Sequence, residues 1–106
     1  MRNKLIAVLA STVAAAGMLV AQAPSTIHGF VSESKCGTEH STPSAEATKC
    51  INKCIKGGSK AVIVSEGKVY NLKGDVADAT KLAGHNVTVK GTVEGDTLTV
   101  QSVKKS

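Results

Sequence analysis

The chain has 106 residues, one Phe, one Tyr, no Trp and a formal net charge of +5. Its basic residues are scattered among acidic ones, whereas nucleic-acid-binding proteins usually cluster theirs on one surface. We expect Phe30 and Tyr70 in the core rather than on a base-stacking surface. The composition therefore argues against a nucleic-acid partner and predicts a core built mainly from Val, Ile and Leu.

Residues 1–23 have the pattern of a secretory signal peptide. Arg2 and Lys4 precede an uncharged, largely apolar stretch, and Ala21-Gln22-Ala23 supplies the small residues of a cleavage site. The apolar stretch is shorter than the about 20 residues that a membrane span needs. The sequence thus predicts a periplasmic or secreted protein, with no membrane span after cleavage.

The predicted cleavage site has one unfavourable feature, because signal peptidases generally disfavour a proline such as Pro24 directly after the cut. Cleavage after Ser25 and retention of the segment as an N-terminal anchor are the alternatives. Cleavage after Ala23 leaves residues 24–106, which is enough for one small domain.

The remaining residues predict five strands and two helices. The strands are expected at residues 27–32, 61–65, 68–72, 87–93 and 97–101, and apolar residues alternate with polar ones most regularly in the last two. Glu66-Gly67 predicts a hairpin turn between the second and third strands.

Both predicted helices have recognisable ends. Thr42 is the expected N-cap of the first, with Pro43 in the first helical position, and Gly57-Gly58 is its expected end. A shorter helix at residues 75–82 is expected to begin at an Asp75 cap. Five strands with a helix between the third and fourth is the order of an OB-type barrel. The first helix is then an insertion between strands one and two.

Several short segments carry a resemblance to known proteins. The segments GFVSESKCG (29–37) and GKVYNL (67–72), with the motif Cys50-x3-Cys54-x2-Gly57-Gly58, resemble a family of small exported bacterial domains of unknown function. The segment AGHNVTVKGTV (83–93) is similar to periplasmic bacterial OB-fold proteins. The resemblance covers essentially the whole chain after the signal segment. It implies an OB-like fold and an exported location, and it implies no particular reaction.

The residues with the clearest chemical potential are Cys36, His40, Cys50 and Cys54, spaced C-x3-H-x9-C-x3-C. Cys50 and Cys54 are neighbours on one helix face, while Cys36 and His40 precede that helix in a polar loop. Zn²⁺ favours four sulfur and nitrogen ligands, and Cu(I) also suits thiolates. The leading hypothesis is an exported, non-enzymatic binding protein that holds Zn or Cu through this Cys3His set.

The same cysteines have a structural alternative. On a regular helix the Cβ atoms of Cys50 and Cys54 are about 5–6 Å apart, whereas a disulfide needs about 3.5–4.5 Å. Cys36 would therefore pair with Cys50 or Cys54 and leave one thiol over. In this alternative the protein is a disulfide-stapled OB-fold module without metal, which binds a small ligand or an envelope protein.

A thiol-redox protein is the second alternative, although the C-x-x-C motif of thioredoxin-like chemistry is absent from the sequence. No Ser-His-Asp order or carboxylate pair stands out, because Glu33, Glu39 and Glu46 are scattered through the loop and the helix start. We therefore expect no catalytic residues and no enzyme.

Overall fold

The structure, a computed structural model, describes residues 23–106. The predicted signal peptide lies outside the described residues except for Ala23. The elements in chain order are β1 (Ser25–Glu33), a 3-10 turn (Gly37–Glu39), α1 (Ala45–Lys56), β2 (Ala61–Ser65), β3 (Lys68–Gly74), α2 (Val76–Lys81), β4 (Asn86–Glu94) and β5 (Thr97–Lys105). Within the described part of the chain, no helix has the length and apolar character needed to cross a membrane.

The five strands form a closed barrel in the order β1-β2-β3-β5-β4. β3 and β5 run parallel, and the other neighbouring strands are antiparallel. Closure pairs the backbone groups that an open sheet would leave at its edges. The predicted OB-like barrel is confirmed, with α1 between β1 and β2 and α2 between β3 and β4.

The barrel interior is filled mainly by aliphatic side chains. Its fully buried members include Val31, Ile63, Val87, Val89 and Leu98, as expected from the alternation in the sequence. Phe30 is also buried, and Tyr70 is partly buried against the same core. Ala47 and Ile51 of α1 join this cluster, so the apolar face of the helix anchors it to the barrel.

The first helix begins two residues later than predicted. Ser44, not Thr42, is the N-cap, and its hydroxyl accepts a hydrogen bond from the Ala47 amide at 3.0 Å. Pro43 thus precedes the cap instead of opening the helix. Extended backbone at Ser44, with φ −162°, aims the hydroxyl at the third helical residue. The predicted end is confirmed, since the Gly57 amide donates to the carbonyls of Lys53 and Cys54.

The other predicted boundaries differ in small ways. Asp75 occupies the N-cap position of α2, but its side chain makes no capping hydrogen bond. Glu66 and Gly67, with φ of 51° and 78°, form the expected hairpin turn. β5 extends beyond the predicted end because its pairing with β4 continues past a register shift between Lys90 and Gly91. The shift leaves Gln101 out of the register, and Val103, which is out of phase with Leu98 and Val100 in the sequence, packs against the core beyond it.

Candidate metal centre

The four predicted ligands come from two neighbouring pieces of the chain. Cys36 lies after β1, directly before the 3-10 turn, and His40 directly follows that turn. Cys50 and Cys54 lie one helical turn apart on α1. All four residues are partly buried, because the loop from β1 lies against the half-buried side of the helix.

Hydrogen bonds fix the path of the loop after β1. The Glu33 carboxylate accepts from the backbone amides of Lys35 at 2.7 Å and Cys36 at 2.9 Å. The buried Ser32 hydroxyl donates to the Gly37 carbonyl at 2.8 Å, and Gly37 has a φ of +54° that favours glycine. The loop therefore turns sharply at Cys36 and directs this side chain toward α1.

The ligand atoms form two sets that share the Cys36 sulfur. In the first, the Cys36 and Cys50 Sγ atoms and a His40 ring nitrogen lie within 4.8 Å of one another. In the second, the same limit holds for a Glu33 carboxylate oxygen and the Cys36 and Cys54 Sγ atoms. Within residues 23–106, no such set contains both Cys50 and Cys54. The structure thus brings all four predicted residues together around Cys36, but not as a single four-ligand group.

The separation of Cys50 from Cys54 follows from helix geometry. Four residues of α-helix advance about 6 Å along the axis, so the two sulfurs meet different parts of the loop. Cys50 meets the end that carries His40, and Cys54 meets the end that carries Glu33. We expected both sulfurs to converge on one point from the helix, but they face different parts of the loop.

Glu33 is a site residue that the sequence reasoning missed. The sequence shows it only as one of several scattered carboxylates, yet its side chain is completely buried at the end of β1. The sequence holds one signal for it, since Glu33 lies only three positions before Cys36. Its burial depends on how that loop folds against α1, which the local sequence does not show.

The carboxylate and the thiol next to it perturb each other. Burial by itself raises the pKa of Glu33, but hydrogen bonds from the Cys36 thiol and from the amides of Lys35 and Cys36 outweigh burial and lower it. The hydrogen bond to Glu33, helped by desolvation and by Glu39, raises the pKa of the Cys36 thiol to about 12. The metal-free site therefore holds an ionised carboxylate beside a protonated thiol.

All three cysteines are free thiols in the structure. Neither of the alternative disulfides, from Cys36 to Cys50 or from Cys36 to Cys54, is formed. Both partner sulfurs nevertheless lie within 4.8 Å of the Cys36 sulfur. The hydrogen bonds of Ser32 and Glu33 hold the loop that carries Cys36 in its path.

The outer face of α1 borders two concave surfaces. A depression lined by Glu46, Lys49, Cys50 and Lys53 gives solvent a route to the Cys50 side of the cluster. A separate groove of about 710 Å³ runs beside the same helix, where lysines and His85 are among its lining residues. The cluster is thus accessible from the helix side of the molecule.

Comparisons of the chain with known protein families, with curated proteins and with solved structures find no match. The resemblance to a family of exported domains therefore stays a prediction.

Proposed function

We propose that this chain is a small, exported, non-enzymatic protein that binds a soft transition metal, Zn²⁺ or Cu(I). The Cys36 and Cys50 thiolates and the His40 imidazole supply the first ligands. The observation that carries the proposal is the mutual approach of these three ligand atoms within 4.8 Å. Sulfur atoms bound to one tetrahedral Zn²⁺ lie about 3.8 Å apart, so small side-chain rotations suffice to close the site.

If a single ion is bound, Cys54 supplies the fourth ligand of the predicted Cys3His set. Its sulfur is within 4.8 Å of the shared Cys36 sulfur. A set of three thiolates and one imidazole satisfies Zn²⁺ completely, and its thiolates equally suit Cu(I). Metal analysis of the purified protein decides between the two ions.

The state of Cys36 supports binding over thiol catalysis. Redox-active cysteines are activated by neighbours that lower the thiol pKa, whereas Glu33 and Glu39 raise the pKa of Cys36 to about 12. A protonated thiol is a poor nucleophile, and binding of a metal cation is coupled to loss of its proton.

The disulfide-stapled module is the second candidate function, favoured by two observations. Cys36 lies near both Cys50 and Cys54, so oxidation to either disulfide needs little movement. The 710 Å³ groove beside α1 offers a concave surface for a small ligand or an envelope partner without using the cluster.

Elemental analysis of protein purified without chelator and without added reductant tests the proposal. We expect at least one Zn or Cu ion per chain, with less metal bound in His40→Ala and an unchanged amount in His85→Ala. His85 is a matched control because it is also partly buried and belongs to neither ligand set. Metal-free protein whose intact mass after thiol alkylation shows one disulfide would instead establish the stapled module.

A further inference from the structure

We propose that the cluster is a two-metal site in which the Cys36 thiolate bridges the ions and Glu33 completes the second site. The inference rests on the proposed function and extends it. One ion is held by Cys36, His40 and Cys50, and the other by Glu33, Cys36 and Cys54. The ions it suits are divalent and thiophilic, such as Zn²⁺ or Cd²⁺, because the second site adds a hard carboxylate oxygen to two sulfurs.

The division of the ligands is the first argument. Two sets of three ligand atoms satisfy the 4.8 Å limit, and both contain the Cys36 sulfur. A single ion bound at either set leaves the remaining cysteine of the other set nearby without a bound metal. A thiolate has several lone pairs and bridges two cations readily, so one sulfur serves both sets without further movement of the backbone.

The burial of Glu33 is the second, independent argument. Its side chain is completely buried, and a buried carboxylate is costly unless it is paired and hydrogen-bonded. Backbone amides satisfy it as a hydrogen-bond acceptor. The ion pairs in residues 23–106 join Lys68 to Asp96 and Lys81 to Asp78, and neither includes Glu33. A cation at the second site supplies the positive countercharge for the Glu33 carboxylate.

Metal binding at the first site strengthens the case for the second. A metal-bound Cys36 is a thiolate, and it then lies as an anion against the Glu33 carboxylate. A second cation between Glu33, Cys36 and Cys54 removes the repulsion, and two divalent cations balance the negative charges of all these ligands together.

Native mass spectrometry of the reduced protein during titration with Zn²⁺, and in parallel with Cd²⁺, tests the inference. We expect the wild type to bind two ions per chain. Cys54→Ser and Glu33→Gln each remove a ligand of the second site only and should bind one. Glu39→Gln is the matched control for Glu33→Gln, because Glu39 is an exposed carboxylate of the same loop outside both sets, and it should bind two.

The outcomes separate the inference from the proposed function. A wild type that saturates with one ion, or a Cys54→Ser variant that still binds two, overturns the two-metal site and leaves metal binding intact. A wild type that binds no ion overturns both. Cys54→Ser decides the matter if Glu33→Gln does not fold, since Cys54 lies on the partly exposed side of α1. Circular dichroism of each variant establishes that it is folded.

Discussion

Glu33 connects the stability of the fold with the chemistry of the cluster. As the last residue of β1, it is buried and accepts hydrogen bonds from two amides of the loop that carries Cys36. Hydrogen bonds to a charged group contribute about 1.5–3 kcal/mol. The carboxylate therefore holds the shared ligand in place whether or not a metal is bound.

The lowered pKa of Glu33 predicts a specific acid sensitivity of the metal-free protein. Because Glu33 is more acidic in the folded state than its ordinary value of 4.5, the unfolded chain takes up its proton first as the pH falls. Stability from this group is complete above the ordinary value and is lost as the pH falls through the folded pKa.

Denaturant unfolding with chelator present, at neutral pH and at about pH 3, measures this loss in the wild type and in Glu33→Gln. We expect Glu33→Gln to cost about 1–3 kcal/mol at neutral pH and to lose less stability on acidification than the wild type. An equal loss in both proteins would show that other groups cause the acid sensitivity.

At the scale of elements, α1 was predictable in its body and its end, but not in its first residue. The spacing of Ala47, Ile51 and Ile55 defines the face that packs on the barrel, and Gly57-Gly58 defines the stop. Thr42 and Ser44 both have suitable hydroxyls, and only the backbone conformation decides which one caps. The sequence alone does not determine that conformation.

The cap gives a direct prediction for the stability of α1. Ser44→Ala removes the hydrogen bond to the Ala47 amide and should lower the free energy of unfolding by about 1 kcal/mol. Thr42→Ala is the control and should change it by less than about 0.5 kcal/mol, because Thr42 is exposed outside the helix. Denaturant unfolding measures both values, and a larger loss in Thr42→Ala would contradict the assigned cap.

The contact between α1 and the turn before β4 gives a second prediction at this scale. Gly84 has a φ of +84°, and an added Cβ would overlap Thr48 of α1. Gly95 also has a positive φ, of +60°, but nothing lies within 4 Å of its Cβ position. Gly84→Ala combines backbone strain with overpacking and should cost about 1–3 kcal/mol more than Gly95→Ala. Equal losses of stability in the two variants would mean that α1 moves away from the added methyl group at no cost in free energy.

At the scale of the whole molecule, the barrel followed from element order and from alternating apolar residues, since both are properties of the sequence itself. The cluster was predictable as a group of residue types with metal-ligand spacing. Its division into two sets and the role of Glu33 were not. Both depend on how the loop after β1 packs against α1. This packing brings together residues as far apart in the chain as Glu33 and Cys54.

Metal should stabilise the whole domain, because a ligand that binds only the folded state shifts the unfolding equilibrium. A free metal concentration about 100 times the dissociation constant adds about 2.7 kcal/mol. Calorimetry should therefore show a higher Tm with Zn²⁺ than with chelator in the wild type. Cys36→Ser, which removes the ligand common to both sets, should show no difference. A metal-dependent Tm in Cys36→Ser would place the binding elsewhere.

The central claim, that a metal is bound by sulfur and nitrogen at this cluster, is tested most directly by X-ray absorption spectroscopy of the Zn-loaded protein. We expect a first shell with sulfur at about 2.3 Å and nitrogen at about 2.0–2.1 Å, and loss of the sulfur contribution in Cys36→Ser. A shell of oxygen and nitrogen alone, or a sulfur shell unchanged in Cys36→Ser, would contradict the account.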